Sequence, residues 1–260
     1  MTTATFTPTS DVVAQATAAG FFPGRHTVDV TEVTKLADGV YRTTFRDAYV
    51  AKHAKPAQFV NLFSHDPMKL LPRPFGVSEV DGDLVSVIFA VVGEGTAEFA
   101  GMAEGERIDV LGPLGRPFSV KQPAADQCLA TNESARTTAV FGYRNEHFAD
   151  RFVSRYADRT LSIDESEGNV ITLLDRMEAD GALAADGFAP VVLSCGPLPM
   201  MKAVAGWATK RGLECQLSME QRMGCGYGTC VVCVVDTADG RKKVCSDGPV
   251  FTAQQLGWEA

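Results

Sequence analysis

Four cysteines near the C-terminal end constrain this chain more than any other feature of its sequence. They are spaced as C-x4-C-x2-C-x11-C, and glycines surround the first two. This spacing is typical of plant-type [2Fe–2S] proteins, in which four thiolates hold two irons. Glycines permit positive φ angles, so the loop can turn tightly and bring its N–H groups close to the sulfurs. We therefore predict a [2Fe–2S] cluster bound by Cys225, Cys230, Cys233 and Cys245.

A structural zinc site, or unligated thiols, is the alternative for these cysteines. Zinc sites usually consist of C-x2-C pairs separated by a longer loop, without a four-residue gap rich in glycine. The fourth cysteine returns after the stretch VVDTADGRKKV, in which Asp239-Gly240 predicts a hairpin turn. Cys128 and Cys215 lie outside the pattern, and we interpret them as small buried apolar residues.

Charge and composition argue against nucleic acid and membrane partners. The formal net charge is −8 and the sequence pI is about 5.1, so no basic field attracts phosphates. The apolar runs are far too short to span a bilayer. No Lys or Arg precedes Arg25, whereas a secretory signal begins with basic residues. We therefore expect a cytoplasmic protein.

The first half of the chain has the pattern of an all-β unit. Six strand-like runs are separated by turns, and Asp38-Gly39 and Asp81-Gly82 are hairpin signals between such runs. Many short strands at this spacing predict a closed barrel or a sandwich.

The second half alternates between strands and helices, which predicts a parallel sheet. Helical patterns occupy residues 145–156 and 197–212, the second one ended by Gly212. The apolar runs typical of buried strands are 137–143, 190–195 and 214–219. The predicted fold is thus a β-barrel plus an α/β unit. Its predicted parts are a tail (residues 1–23), the barrel (24–117), the α/β domain (118–220) and a cluster subdomain (221–260).

Several motifs, in order along the chain, resemble one known family. Residues 218–233, followed by 244–251, closely resemble the C-terminal end of PyrK, the electron-transfer subunit of bacterial NAD-dependent dihydroorotate dehydrogenases. Upstream, Arg73-Pro74-Phe75-Gly76 is similar to the flavin-binding R-P-x-S element of that family. Further similar segments are the one containing Gly95-Thr96, residues 109–115, and the Cys-Gly-Pro loop at 195–197.

The resemblance implies a ferredoxin-reductase-like fold with FAD in the barrel. Arg73 would pair with a flavin phosphate, and Pro74 would fix the turn that presents it. Phe75 and Gly76 complete this element, while Gly95 and Thr96 would offer N–H and hydroxyl donors to the pyrophosphate. Taken alone, Arg-Pro is ordinary turn chemistry, and Thr96 could be a helix N-cap.

Two features depart from the family pattern. Gly76 stands where the flavin element has a serine, and Ser78 could replace that serine only if no bulge intervenes. The family opens its nucleotide domain with a glycine-rich turn, but residues 119–138 contain no glycine. The domain therefore looks truncated, and the NAD binding of the family is not carried over to this chain. The loop at 195–197 could lie near a nicotinamide or be a plain strand-to-helix turn.

The functional hypothesis is electron transfer without acid–base catalysis. The resemblance implies electron exchange between an FMN-containing dihydroorotate dehydrogenase subunit and NAD, through FAD and the cluster. It also implies two of these subunits assembled with two catalytic subunits, in pyrimidine synthesis. The alternatives are a reductase-like carrier for another acceptor and a non-enzymatic subunit that has lost NAD binding. The four histidines form no catalytic pattern, and we expect no catalytic residue.

Overall fold

The computed structural model describes residues 24–119, 136–183 and 190–258. The predicted tail, Cys128 and most of the glycine-free segment lie outside these ranges. The strands of the described residues are β1 (His26–Ala37), β2 (Val40–Arg46), β3 (Phe59–Phe63), β4 (Arg73–Asp81), β5 (Leu84–Ala90), β6 (Arg107–Leu114), β7 (Thr138–Tyr143), β8 (Arg159–Asp164), β9 (Val191–Cys195), β10 (Glu214–Ser218), β11 (Val234–Thr237), β12 (Gly240–Lys243) and β13 (Val250–Thr252). The helices are α1 (Ala48–His53), α2 (Glu94–Ala100), α3 (Asp150–Val153), α4 (Val170–Ala179) and α5 (Leu198–Thr209).

The first six strands form a closed antiparallel barrel, in the order β1-β2-β5-β4-β3-β6. Alternate residues of β6 are buried, as expected for a strand with one face in the core. Gly39 and Gly82 have φ angles of 69° and 61°, which the Asp-Gly turns require. The barrel prediction is therefore confirmed, together with its six strands. Its core contains Val30, Phe45, Val60, Leu62, Val85, Val87, Phe99 and Ile108.

The second half contains two short parallel pairings. β7 pairs with β8, and β9 pairs with β10, which lies between β9 and the antiparallel β13. The three predicted strands are confirmed, as is the parallel arrangement. The predictions named neither β8 nor α4. The helix predicted over 145–156 is wrong in extent, since only Asp150–Val153 is helical. The Tyr143 hydroxyl accepts a hydrogen bond from the Ala149 amide, which holds the preceding residues in a turn.

Helix α5 ends as its sequence predicts. Gly212 has a φ angle of 67°, and its N–H donates to the Thr209 carbonyl. The Leu213 N–H donates to the Ala208 carbonyl, which completes a Schellman motif. This motif turns the chain directly into β10.

One hydrophobic core joins the α/β unit to the cysteine-rich end of the chain. Trp207 of α5 and Leu217 of β10 share this core with Cys233 and Cys245. Phe59 and Leu114 of the barrel belong to it as well. The cysteine loop is therefore packed against both halves of the molecule. No helix within the described ranges is long and apolar enough to cross a bilayer.

Candidate functional site

Backbone N–H groups surround the sulfur atoms of the cysteine loop. The Thr229 and Cys230 amides donate to Cys225 Sγ at 3.3 and 3.4 Å, and the Cys225 amide donates to Cys230 Sγ at 3.3 Å. The Gly228 amide donates to Cys245 Sγ at 3.1 Å, and the Cys245 amide donates to Cys233 Sγ at 3.4 Å. Donors aimed at sulfur stabilise negative charge on it, as thiolate ligands of a metal require.

These donors make the sulfurs chemically unequal. Burial raises the pKa of the Cys225 thiol, but N–H groups of Cys230, Tyr227 and Thr229 outweigh it and lower the pKa to about 6. Burial, followed by the neighbouring Cys233, raises the pKa of Cys245 to about 12. The lowered pKa favours the thiolate form of Cys225. Bound iron would supply the positive charge that ionises the buried Cys245.

Backbone N–H to sulfur hydrogen bonds link the four cysteines in two pairs, Cys225 with Cys230 and Cys245 with Cys233. All four thiols are free of disulfides. Among the described residues, no three His, Cys, Asp or Glu side chains converge as ligands of a single metal ion do. Two pairs of thiols suit two irons better than one zinc ion.

The loop reaches this arrangement through its glycines and a lysine. Gly226 and Gly228 have φ angles of 82° and 91°, as predicted for a tight turn around a cluster. Lys243 Nζ donates to the Gly228 carbonyl at 2.6 Å, and Asp247 accepts from the Lys243 amide at 2.7 Å. The Asp239-Gly240 turn joins β11 to β12 and returns the chain to Cys245, as predicted.

The two predicted flavin elements meet at one surface pocket. Its volume is about 430 Å³, and its lining residues are Lys69, Arg73, Val92, Gly93, Glu94, Gly95 and Thr96. Arg73 begins β4, and its guanidinium lies directly against Gly95, where an added Cβ would be 2.6 Å from Arg73 Nε. A cationic pocket closed by glycine suits a phosphate group. Two segments far apart in sequence are thus brought together as expected for one ligand.

Other residues of the flavin elements have structural roles. Phe75 points into the barrel core, 4.8 Å from Phe89 and 5.8 Å from Phe99 between ring centroids. The Thr96 hydroxyl donates to the Gly93 carbonyl and accepts from the Val92 and Gly93 amides. Its hydrogen is therefore used within the loop, and only its backbone N–H can serve a ligand. Thr96 is the third residue of α2 and not its N-cap.

The glycine that replaces the motif serine is exposed, and space is open beside it. A Cβ added at Gly76 would have no other atom within 4 Å. Pro74, two residues earlier in β4, pairs with Asn61 of β3. Ser78 does not replace the serine, because the pairing of β4 with β5 is irregular there and its hydroxyl donates to the Ser86 carbonyl. A ligand at this position would meet backbone groups of Gly76.

Sequence reasoning missed Asn61, which contacts the cysteine loop. Its side-chain Nδ2 donates to the Cys225 carbonyl at 2.8 Å, and the residue is fully buried. The available signal was a single polar residue in the otherwise apolar strand Phe-Val-Asn-Leu-Phe. Asn61 links the barrel to the first of the four cysteines.

The Cys-Gly-Pro loop connects β9 to α5. Gly196 has a φ angle of 145°, and Pro197 and Pro199 flank the first residue of the helix. Burial, and to a smaller extent the charge of Glu220, raises the pKa of the Cys195 thiol. A hydrogen bond with Ser218 lowers this pKa but does not cancel the rise. The strand-to-helix turn is therefore present, and its use by a nucleotide stays a prediction.

Comparison with known proteins identifies the family of the chain. A sequence family described as the iron-sulfur cluster binding domain of dihydroorotate dehydrogenase B matches residues 220–257. The dihydroorotate dehydrogenase B (NAD(+)) electron transfer subunit of Bacillus velezensis is 33% identical, over 86% of this chain and 95% of the relative. The corresponding subunit of Clostridium acetobutylicum is 30% identical, over 89% of this chain and 97% of the relative. This chain belongs to the family of dihydroorotate dehydrogenase B electron transfer subunits.

Solved structures share the fold of this chain. A structure of an NADH-dependent reduced ferredoxin–NADP oxidoreductase, described in the context of flavin-based electron bifurcation, is 26% identical. Its TM-score is 0.73, with 92% of each chain covered. A ferredoxin reductase of carbazole 1,9a-dioxygenase, in its FAD apo form, has a TM-score of 0.55 at 15% identity, over 73% of this chain and 64% of that chain. The predicted family resemblance and the ferredoxin-reductase-like fold are confirmed.

Proposed function

We propose that this chain is the electron transfer subunit of a dihydroorotate dehydrogenase B and acts in pyrimidine biosynthesis. It passes electrons between an FMN-containing catalytic subunit and NAD, through FAD and a [2Fe–2S] cluster. The observation that carries the proposal is the contact between two parts of the molecule. The cysteine loop lies against the barrel strand that pairs with the Arg73–Gly76 segment, through Asn61 and Cys225.

Each proposed cofactor has its own set of residues. Cys225, Cys230, Cys233 and Cys245 hold the cluster, and the N–H groups aimed at their sulfurs adjust its potential. The FAD site consists of Arg73, Pro74, Phe75, Gly76, Gly95 and Thr96. Within it, Arg73 binds phosphate, Phe75 supports β4 from the core, and Gly95 leaves room for the guanidinium. When bound, FAD exchanges electrons in pairs and the cluster exchanges them singly.

The proposal extends to the domains, the partner and the location. We assign residues 24–117 to the FAD domain, 118–220 to a nucleotide-binding-like domain and 221–260 to the cluster subdomain. Two such subunits assemble with two catalytic subunits. We expect the complex in the cytoplasm.

A second candidate is electron transfer to an acceptor other than NAD. The specific observation that favours it is the absence of glycine from residues 119–138, where related nucleotide domains have a glycine-rich turn. Such a chain would keep FAD and the cluster but would react poorly with pyridine nucleotide.

The deciding experiment is a redox titration of the anaerobically purified complex with its catalytic subunit. Dihydroorotate should bleach both the flavin and the iron–sulfur absorption bands, and NAD should restore them. Restoration by another acceptor, with no response to NAD or NADH, would support the second candidate. Failure to obtain any iron–sulfur absorption after anaerobic reconstitution would contradict both.

Replacing Arg73 tests the flavin site. Arg73→Ala removes the cation that lies against Gly95, so we expect the dissociation constant of FAD to rise about tenfold or more. Flavin fluorescence during titration of the apoprotein measures it. Arg107→Ala, at an exposed position of β6 in the same barrel, is the control and should leave the affinity unchanged. Equal affinities for all three proteins would place the phosphate elsewhere.

Replacing Cys225 tests the cluster site. Cys225→Ser substitutes a weaker ligand for a thiol whose pKa is lowered, so we expect most of the bound iron to be lost. Iron and sulfide analysis with the visible spectrum measures this loss. Cys195→Ser, at a cysteine that ends β9 and lies outside the cysteine loop, should keep the full iron content. Full iron in Cys225→Ser would exclude Cys225 as a ligand.

A further inference from the structure

A single buried amide lies between the barrel and the cysteine loop. Asn61 is fully buried in the apolar strand β3, and only its Nδ2 is paired, with the Cys225 carbonyl. Its Oδ1 is buried and has no hydrogen-bond partner among the described residues. An unpaired buried oxygen lowers stability, and an apolar side chain of similar size would avoid that cost. A residue that is unfavourable for packing invites a functional explanation.

Asn61 occupies the position where the two proposed cofactor sites meet. In the barrel it lies opposite Pro74 of β4, within the segment that we assign to FAD. Its side chain contacts the backbone of Cys225, which we assign to the cluster. One residue therefore joins the flavin-carrying strand to a cluster ligand.

The loop is shaped to fit this side chain. Gly226 has a φ angle of 82°, and a Cβ added there would lie 2.3 Å from Asn61 Nδ2 and 2.9 Å from Oδ1. The loop backbone thus covers the amide as closely as glycine allows. The covering explains why Oδ1 is closed to water.

We propose that Asn61 is a positioning residue that fixes the cysteine loop on the flavin-carrying strand, so that one electron can pass efficiently from the reduced flavin to the oxidised cluster. This inference rests on the function proposed above. Electron transfer requires the donor and the acceptor to be held at a short, constant separation. Here the hydrogen bond to Cys225 and the fit of Gly226 provide that constraint, and a small displacement of the loop would slow transfer.

The test uses Asn61→Leu in the intact complex with the catalytic subunit. Leucine fills the space without bonding Cys225. We expect iron and FAD contents like those of the wild type, an altered electron paramagnetic resonance signal of the reduced cluster, and flavin-to-cluster transfer slowed about tenfold or more after flash reduction of the flavin. Thr43→Val is the matched control. Thr43 is buried with an unpaired hydroxyl on β2, across the barrel from β3, and its variant should behave like the wild type.

A second pair of variants approaches the same contact from the loop. Gly226→Ala places a methyl group against the Asn61 amide, so it should also slow transfer. Gly240→Ala, in the turn between β11 and β12, has the same kind of backbone strain, at a φ angle of 91°, but no atom lies within 4 Å of its added Cβ. We expect a smaller effect from Gly240→Ala. This pair of variants tests the role of Asn61 if the Asn61→Leu complex cannot be obtained with both FAD and iron bound.

The outcomes separate this inference from the function on which it rests. A loaded, dihydroorotate-reducible wild type with unchanged transfer in Asn61→Leu and Gly226→Ala overturns the role of Asn61 alone. Equal slowing by Gly226→Ala and Gly240→Ala also overturns it, because backbone strain alone would then suffice. A wild type without FAD or iron overturns the proposed function, and the inference with it.

Discussion

Lys243 brings a positive charge to the cysteine loop through its hydrogen bond to the Gly228 carbonyl. The amide of Gly228 in turn donates to Cys245 Sγ. A cation near a cluster favours the reduced state, because reduction adds negative charge. This single side chain therefore bears on both the shape of the loop and the potential of the cluster.

We expect Lys243→Met to lower the midpoint potential of the cluster. Loss of one nearby charge in a partly exposed site corresponds to about 1 kcal/mol, or on the order of 40 mV for one electron. Spectroelectrochemical titration measures the potential. Lys242→Met, at the neighbouring position of the same strand, is the control and should shift it less. Equal shifts would mean that only the net charge matters.

Local chemistry made some residues predictable and left others hidden. The cysteine spacing and the glycines between them carry the cluster prediction within one short segment. Asn61 and the internal bonding of the Thr96 hydroxyl depend on partners brought close only by folding. Arg73 and Gly95 were predictable in part. The order of the motifs suggested that both residues bind one ligand, but not that they contact each other directly.

Among the elements, α1 depends on a charged pair at its start. Asp47 caps α1 by accepting from the Tyr49 and Val50 amides, and its other oxygen pairs with His26 Nε2 at 2.8 Å. The hydrogen bond to Asp47 raises the pKa of His26 and outweighs burial, which lowers it. The other ring nitrogen, Nδ1, lies 2.9 Å from the Gly24 carbonyl oxygen. With both ring nitrogens donating, the protonated imidazole holds the N-terminal end of β1 to α1.

Stability should therefore decline as pH rises through the elevated pKa of His26. A raised folded-state pKa gives stabilisation that is complete below the unfolded value of about 6.5 and is lost above the folded value. The midpoint of thermal unfolding, measured from about pH 6 to pH 9, should fall less for His26→Gln than for the wild type. His53→Gln, at the C-terminal end of α1, is the control for the loss of one histidine. Parallel slopes for all three proteins would contradict the role of His26.

Sequence patterns predicted the barrel strands better than the α/β elements. Asp-Gly turns and alternating burial are local signals, and β1 to β6 followed them. The helix predicted at 145–156 is limited to α3, because the Tyr143 hydroxyl accepts a hydrogen bond from the Ala149 amide and holds the residues before α3 in a turn. Helix α4 depends on Asn169 as its cap, whose side chain accepts from the Ile171 amide, a signal that the sequence interpretation did not use.

At the scale of the whole molecule, the barrel meets the C-terminal unit at a tight junction. The Arg116 amide donates to the Gly248 carbonyl at 2.6 Å, just after the end of β6. Gly115 has a φ angle of 80°, and an added Cβ would lie 2.5 Å from Pro249 Cδ and 2.9 Å from Phe59 Cε1. Glycine at this position lets the two units approach each other closely.

We expect Gly115→Ala to destabilise the protein more than Gly105→Ala. Both glycines have positive φ angles, 80° and 85°, but the space around Gly105 is open. The difference in the free energy of unfolding should be about 1–3 kcal/mol, the usual effect of overpacking. Denaturant titration of the two variants measures it. Equal losses would show that backbone strain alone explains the effect.

The two buried cysteines of the proposed cluster site would couple metal supply to the abundance of the subunit. Cys233 and Cys245 lie in the same core as Trp207 and Leu217, so these proposed ligands are also packing residues of the C-terminal half. Oxidative loss of iron would leave thiolates or oxidised sulfur inside an apolar interior, which favours local opening and attack by proteases. An iron-starved cell would then clear this subunit by quality control, and pyrimidine output would follow the iron available during maturation.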